Sequence, residues 1–129
     1  MNRLWIRVLF LICAAYDFLI GMAFLTSGPA LFDQYNVPPP NHWGYIWFCC
    51  LMLMIFGLMF LAVAIRPVAN RNLIPYGMLL KLAYVGITGY FWITEGIPWV
   101  FKPFLFIDAA MLAGFVWAFV TLMSERQQQ

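Results

Sequence analysis

The sequence predicts an all-α integral membrane protein, in which four membrane-spanning helices form a four-helix bundle with both termini in the cytoplasm. Three observations predict this class. Of the 129 residues, 65% are apolar and only 9% are charged, whereas a soluble domain averages about 25% charged residues. The apolar residues form four segments, each long enough to cross a hydrocarbon core of about 30 Å. Lys and Arg are concentrated in the connections on one side. We therefore expect a single transmembrane domain over residues 1–129.

The first span is predicted over residues 4–25 and contains two charged residues, Arg7 and Asp17. Its apolar stretch is too long for the apolar core of a signal peptide, and no small-x-small cleavage site follows it. The segment is therefore expected to stay in the membrane as the first helix.

A short outer helix is predicted after the first span, over residues 29–37. Ser27 or Gly28 can cap it, and Pro29 suits the first helical position. Its apolar side chains share one side, on which we expect the segment to lie on the membrane surface: Leu31, Phe32 and Tyr35.

The other three spans are predicted over residues 43–65, 73–94 and 103–123. The second has no charged residue, whereas the third contains Lys81 and the fourth contains Asp108. Pro75 falls in the first turns of the third span and Pro103 at the start of the fourth, positions at which a helix tolerates proline.

The orientation follows from the positive charges in the short connections. Five arginines lie in the two terminal segments and the turn between the second and third spans: Arg3, Arg7, Arg66, Arg71 and Arg126. The two other connections together carry one basic residue, Lys102. Because basic residues favour the cytoplasmic side, both termini are expected there. The net charge of +2 gives no basic face for nucleic acid.

Three ionisable residues fall inside the predicted spans: Asp17, Lys81 and Asp108. Such residues normally face the bundle interior and find partners. Helical spacing places Lys81 on a polar stripe of the third helix, whose members are Gly77, Lys81, Tyr84, Thr88 and Glu95. Three interpretations stay open: charges that only fix helix packing, an outward-facing polar pocket or proton-accessible half-path, and contact with a partner subunit.

Counting depth at about 1.5 Å per residue places the two aspartates at similar levels and Lys81 deeper. This predicts a polar ladder, descending from Glu95 through Asp17, Thr88 and Asp108 to Tyr84 and then Lys81. It argues against a simple triad of the three charged residues. Unless a cation lies between them, we expect the aspartates to share a proton near neutral pH.

No catalytic motif or resident metal site is predicted. The three cysteines could join Met52, Met54, Met59 and His42 as soft ligands for Cu(I), but these methionines do not share a helical face with a cysteine pair. We interpret Cys13, Cys49 and Cys50 as small packing side chains and His42 as a solvated loop residue.

Several elements resemble small bacterial four-helix membrane proteins of the DoxX-like and BphX-like kind. The elements are the segment after Gly28-Pro29 with its Tyr35-Asn36-Val37-Pro38, the mid-helix Gly57, and the turn over residues 64–74. BphX-like proteins usually have an acidic residue before the turn proline and a histidine in the third helix, where this chain has Arg66 and Lys81. The resemblance implies a four-helix bundle in a bacterial inner membrane. It supplies no catalytic residue, although some DoxX-like members are associated with quinone-linked redox complexes.

Three functions are compatible with these observations. The first is a non-catalytic accessory or scaffold subunit that associates with other membrane subunits or with a second copy. The second is a small proton-coupled transporter, for which Lys81 disfavours organic cations. The third is a protein that binds a lipid or a quinone. We expect membrane lipids as partners and no nucleic acid.

Overall fold

The computed structural model describes residues 3–127, of which residues 126 and 127 are described by their backbone alone. This part of the chain forms four α-helices: α1 (Leu4–Gln34), α2 (Trp43–Ile65), α3 (Ile74–Thr94) and α4 (Phe101–Gln127). A short 3₁₀ helix, Arg71–Leu73, leads into α3. The all-helical class is confirmed, and the bounds of α2 are those predicted.

Three of the helices, α1, α2 and α4, are long and apolar enough to cross a membrane by length and composition. α3 has 21 residues but is more polar, because glycines, tyrosines, threonines and Lys81 interrupt its apolar residues. The helix expected over residues 73–94 is therefore present, although it is not one of these three.

The helices pair as two hairpins, α1 with α2 and α3 with α4. We call the end that holds Arg3 and Glu125 the terminal end, and the opposite end, at residues 34–43 and 94–101, the distal end. Arg3 Nε donates a hydrogen bond of 2.7 Å to Glu125, which joins the start of α1 to the end of α4. The two described ends of the chain thus lie at the same end of the bundle. Arg126, counted in the orientation argument, has a side chain outside the described residues.

Small residues let α1 and α2 approach closely. A Cβ on Gly21 would lie 2.6 Å from the Cys50 carbonyl oxygen, and one on Gly57 would lie 3.0 Å from the Ala14 carbonyl oxygen. Such distances exclude any larger side chain unless the backbones move apart. Small residues on α1 and α2 therefore form a close packing face between these two helices.

α1 bends where the sequence predicts a break. Ser27 has non-helical backbone angles, φ −130° and ψ 26°. Pro29 contributes to the bend, because its ring nitrogen cannot donate to the carbonyl four residues earlier. The chain continues in helical form to Gln34 and ends in a Schellman-type turn with Asn36 at φ 59°.

The side chains beyond the bend face the protein, which corrects the predicted orientation of the outer segment. Phe32 is 8% exposed and its ring meets Trp43 at 5.1 Å between centroids. Tyr35 stacks edge-on against Trp99 at 5.6 Å. Phe32 therefore packs within the first hairpin, against the start of α2, and Tyr35 contacts the segment that leads into α4 of the second hairpin.

The core fills the half of the bundle nearest the terminal end. The rings of Phe10 and Phe115 stack at 4.7 Å, and Phe60 meets Phe115 at 5.1 Å. All three are fully buried, and we call them the phenylalanine cluster. Ile6, Val63, Ile74 and Leu122 complete this packing towards the terminal end.

Candidate ligand site

Three charged side chains meet in the middle of the bundle. Lys81 Nζ donates to both carboxylate oxygens of Asp17, at 3.0 Å each, and to Oδ1 of Asp108 at 3.2 Å. The three residues come from α3, α1 and α4, and each is less than one tenth exposed. We call them the ion cluster. Such a cluster ties both hairpins together, because removing either hairpin would leave a buried charge without its partner.

The prediction that argued against a triad is wrong. Asp17 lies ~15 Å from the bend of α1 at Ser27, and Asp108 lies ~10 Å from the start of α4 at Phe101, so both are deeper than predicted. Lys81 lies ~20 Å from the end of α3. The four-carbon lysine stem carries the ammonium across much of the remaining offset. The Lys81 ammonium therefore lies between the two aspartates. The shared proton is predicted only for aspartates without such a cation between them.

Local packing positions Lys81 against aromatic rings. A Cβ on Gly77, one turn earlier on α3, would lie 2.5 Å from the Phe60 ring, so only glycine leaves room for that ring. The Lys81 ammonium lies 5.8 Å from the Phe60 ring centre and 5.3 Å from that of Tyr16. Ring faces attract a cation, so these contacts add to the two ion pairs.

A cavity of about 200 Å³ lies between the hairpins, on the distal side of the ion cluster. All four helices contribute to it, and its walls are mostly apolar. Its lining residues are Ile20, Phe24, Phe32, Ile46, Leu53, Phe101 and Phe104, with Tyr16, Asp17, Cys49, Cys50, Tyr84 and Asp108. The two aspartates form its polar floor, whereas Lys81 is fully buried behind them.

Only some residues of the predicted polar ladder line the cavity. Tyr84 lines the cavity, and its hydroxyl donates to the Phe101 carbonyl at 3.3 Å. Thr88 is 9% exposed but does not line the cavity, and Glu95 is exposed at the end of α3. The pocket is therefore an apolar cavity with a charged floor, because the remaining positions around it are filled by aromatic and aliphatic side chains.

Sequence reasoning missed two residues that surround the Lys81 ammonium. Tyr16 precedes Asp17 directly, and its ring also packs edge-on against Phe104 of α4 at 6.1 Å. Its position beside an intramembrane carboxylate is a signal that could have singled it out. Phe60 lies in a helix of uninterrupted apolar residues, where nothing in the sequence distinguishes it.

The cysteines and His42 have other surroundings. Cys13 and Cys50 are buried and Cys49 is exposed, each as a free thiol. In the part of the chain that the structure describes, no group of three or more His, Cys, Asp or Glu residues could hold a metal ion. His42 Nδ1 accepts a hydrogen bond of 2.9 Å from the Gly44 amide. His42 therefore caps the start of α2, and its side chain is exposed.

Comparisons with protein-family models, curated proteins and solved structures find no match to this chain. The resemblance to DoxX-like and BphX-like proteins stays a prediction.

Proposed function

We propose that this chain is a multi-pass protein of a bacterial inner membrane that binds a membrane-dissolved amphipathic molecule. In this proposal all four helices cross the bilayer, both termini are cytoplasmic, and the cavity opens towards the outer leaflet. The protein has no catalytic role. Membrane lipids surround the exposed apolar side chains, which occur on every helix.

The observation that carries the proposal is the cavity itself. It combines apolar walls with two carboxylates at one end, and it lies beside the half of the bundle that contains the buried core. Small-molecule sites typically have this form, with mostly apolar lining and a few polar groups that fix orientation. Lipids and quinones, the ligands considered from the sequence, both join an apolar part to a polar head.

A cavity-filling substitution tests the proposal. Ile20 lines the cavity, whereas its neighbour Leu19 is 61% exposed and does not. The native protein and the Leu19→Trp and Ile20→Trp variants are purified from native membranes, and bound small molecules are identified by mass spectrometry. We expect the native protein and Leu19→Trp to carry the same bound molecule and Ile20→Trp to lose it. Equal content in both variants would contradict the proposal.

The accessory-subunit and transporter functions stay predictions. The same purification tests the first, because an accessory subunit would retain larger membrane subunits in constant proportion. Proton uptake coupled to a substrate in reconstituted vesicles tests the second.

A further inference from the structure

The hydrogen bonds of the ion cluster leave one carboxylate oxygen available. An ammonium has three N–H donors, and Lys81 directs them to the two oxygens of Asp17 and to Oδ1 of Asp108. Among the described residues, none donates a hydrogen bond to Oδ2 of Asp108. Asp108 lines the cavity and this oxygen is not one of the enclosed atoms without a partner, so it is open to a donor that enters the cavity.

The net charge of the ion cluster also favours a further positively charged partner. Two carboxylates face one ammonium, so the three formal charges, −1, +1 and −1, sum to −1. Asp17 has a side chain that is 3% exposed, whereas that of Asp108 is 10% exposed and lines the cavity. The uncompensated charge is therefore presented to the cavity by Asp108. An isolated charge in an apolar site is costly unless a proton or another cation accompanies it.

The other polar groups at the cavity floor do not change its character. The Tyr84 hydroxyl proton is directed to the Phe101 carbonyl. The donors of Lys81 are all engaged by the aspartates. Besides the Tyr16 hydroxyl and the thiols of Cys49 and Cys50, which also line the cavity, the floor offers acceptors and negative charge. A head group with positive charge and N–H donors therefore suits it better than a quinone ring, which presents only carbonyl acceptors.

We infer that the molecule bound in the cavity is an alkyl ammonium amphipath, whose charged head donates hydrogen bonds to Asp108 and whose chain lies along the apolar walls. The inference depends on the proposed function of the cavity. The aromatic rings of Tyr16, Tyr84 and Phe104 line the same space and suit a cationic head. It also revises the expectation that Lys81 disfavours organic cations, because the aspartates more than neutralise Lys81.

Three probes with the same eight-carbon chain test the head-group preference: octylammonium, octanol and octanoate. The protein is placed in phosphatidylcholine nanodiscs with Nile red, a neutral dye whose fluorescence reports apolar sites. Each probe is titrated as a competitor, and Ile20→Trp gives the background of dye in lipid. We expect octylammonium to displace the dye at a concentration about tenfold lower than octanol, and octanoate to be the weakest.

The Asp108→Asn variant, measured in the same nanodiscs, corrects for differences in how the probes partition into lipid. We expect it to lose the preference for octylammonium over octanol, while Asp108→Glu keeps that preference. If Asp108→Asn fails to fold, octyltrimethylammonium is compared with octylammonium on the native protein. It lacks N–H donors and should be the weaker competitor.

The outcomes separate this inference from the proposed function. Displacement by all three probes at equal concentrations, or a preference unchanged in Asp108→Asn, overturns the inference and leaves the cavity as a ligand site. Strongest displacement by octanoate, or equal binding of the trimethylated probe, overturns it as well. Dye fluorescence equal to that of Ile20→Trp, with no displacement by any probe, overturns both.

Discussion

Lys81 is the residue on which the packing of the two hairpins most depends. It is fully buried, and its ammonium is the shared partner of two carboxylates. A buried charge is expensive in an apolar medium, but removing one member of a buried pair costs more than the pair itself contributes. Of the three residues in the ion cluster, Lys81 should therefore be the least tolerant of substitution.

Replacing Lys81 by methionine keeps the length of the side chain and removes its charge. We expect a loss of about 3–5 kcal/mol in the free energy of unfolding, because two buried carboxylates then face each other without a cation. The control is Lys102→Met, whose ammonium lies 5.1 Å over the Trp92 ring and whose removal should cost about 1 kcal/mol or less. Unfolding in detergent, followed by circular dichroism, measures both. Equal losses would indicate that the ion pairs contribute nothing to the fold.

The two aspartates are not equivalent partners. Asp17 accepts two hydrogen bonds from Lys81 at 3.0 Å each, and Asp108 accepts one at 3.2 Å. Asp17→Asn should therefore be more destabilising than Asp108→Asn, by about 1–2 kcal/mol, since hydrogen bonds to charged groups are the stronger kind. The same unfolding measurement compares them. A larger loss for Asp108→Asn would reverse the assignment of the main ion pair.

The sequence identified the members of the ion cluster but not their contact. Helical spacing gives the face on which Asp17, Lys81 and Asp108 lie, because that depends only on the period of one helix. Contact between helices also depends on where each begins and on the reach of the lysine stem. The sequence of one apolar segment determines neither of these. Counting residues from the predicted helix ends therefore places Lys81 at a different depth from the aspartates, although the side chains are in contact.

At the scale of the helices, an apolar segment predicts the apolar part of a helix, but not any polar extension of it. α2 is flanked by Pro40 and Pro67, and its predicted bounds are confirmed. α4 extends to Gln127, beyond the predicted end at residue 123. Polar residues can continue a helix in water, and Glu125 gains an ion pair with Arg3 there. Apolar composition has no information about such an extension.

The contact between α1 and α2 gives a testable prediction at the scale of the helices. Gly21→Ala places a Cβ within 2.6 Å of the Cys50 carbonyl oxygen, whereas nothing lies within 4 Å of a Cβ on Gly86. We expect Gly21→Ala to lower the free energy of unfolding by about 1–3 kcal/mol, the usual cost of overpacking. Gly86→Ala is the matched control and should be neutral or stabilising by up to about 1 kcal/mol. Equal effects would contradict the close helix approach.

The molecule as a whole is divided along its length. The half towards the terminal end is closed by the phenylalanine cluster and the aliphatic side chains around it. The half towards the distal end contains the cavity, and the ion cluster lies between the two halves. A ligand therefore reaches Asp108 from the distal side, and the side of the membrane on which that happens depends on the orientation of the chain.

The last prediction concerns that orientation. Asn41 and Asn72 are exposed at the distal and terminal ends respectively. Single cysteines are introduced there after Cys13, Cys49 and Cys50 are replaced by alanine, and intact cells are treated with a membrane-impermeant maleimide. Asn41→Cys should react, and Asn72→Cys should react only after the membrane is opened, because basic residues favour the cytoplasmic side. The reverse pattern would turn the cavity towards the cytoplasm, and reaction of both in intact cells would exclude a bundle that crosses the bilayer.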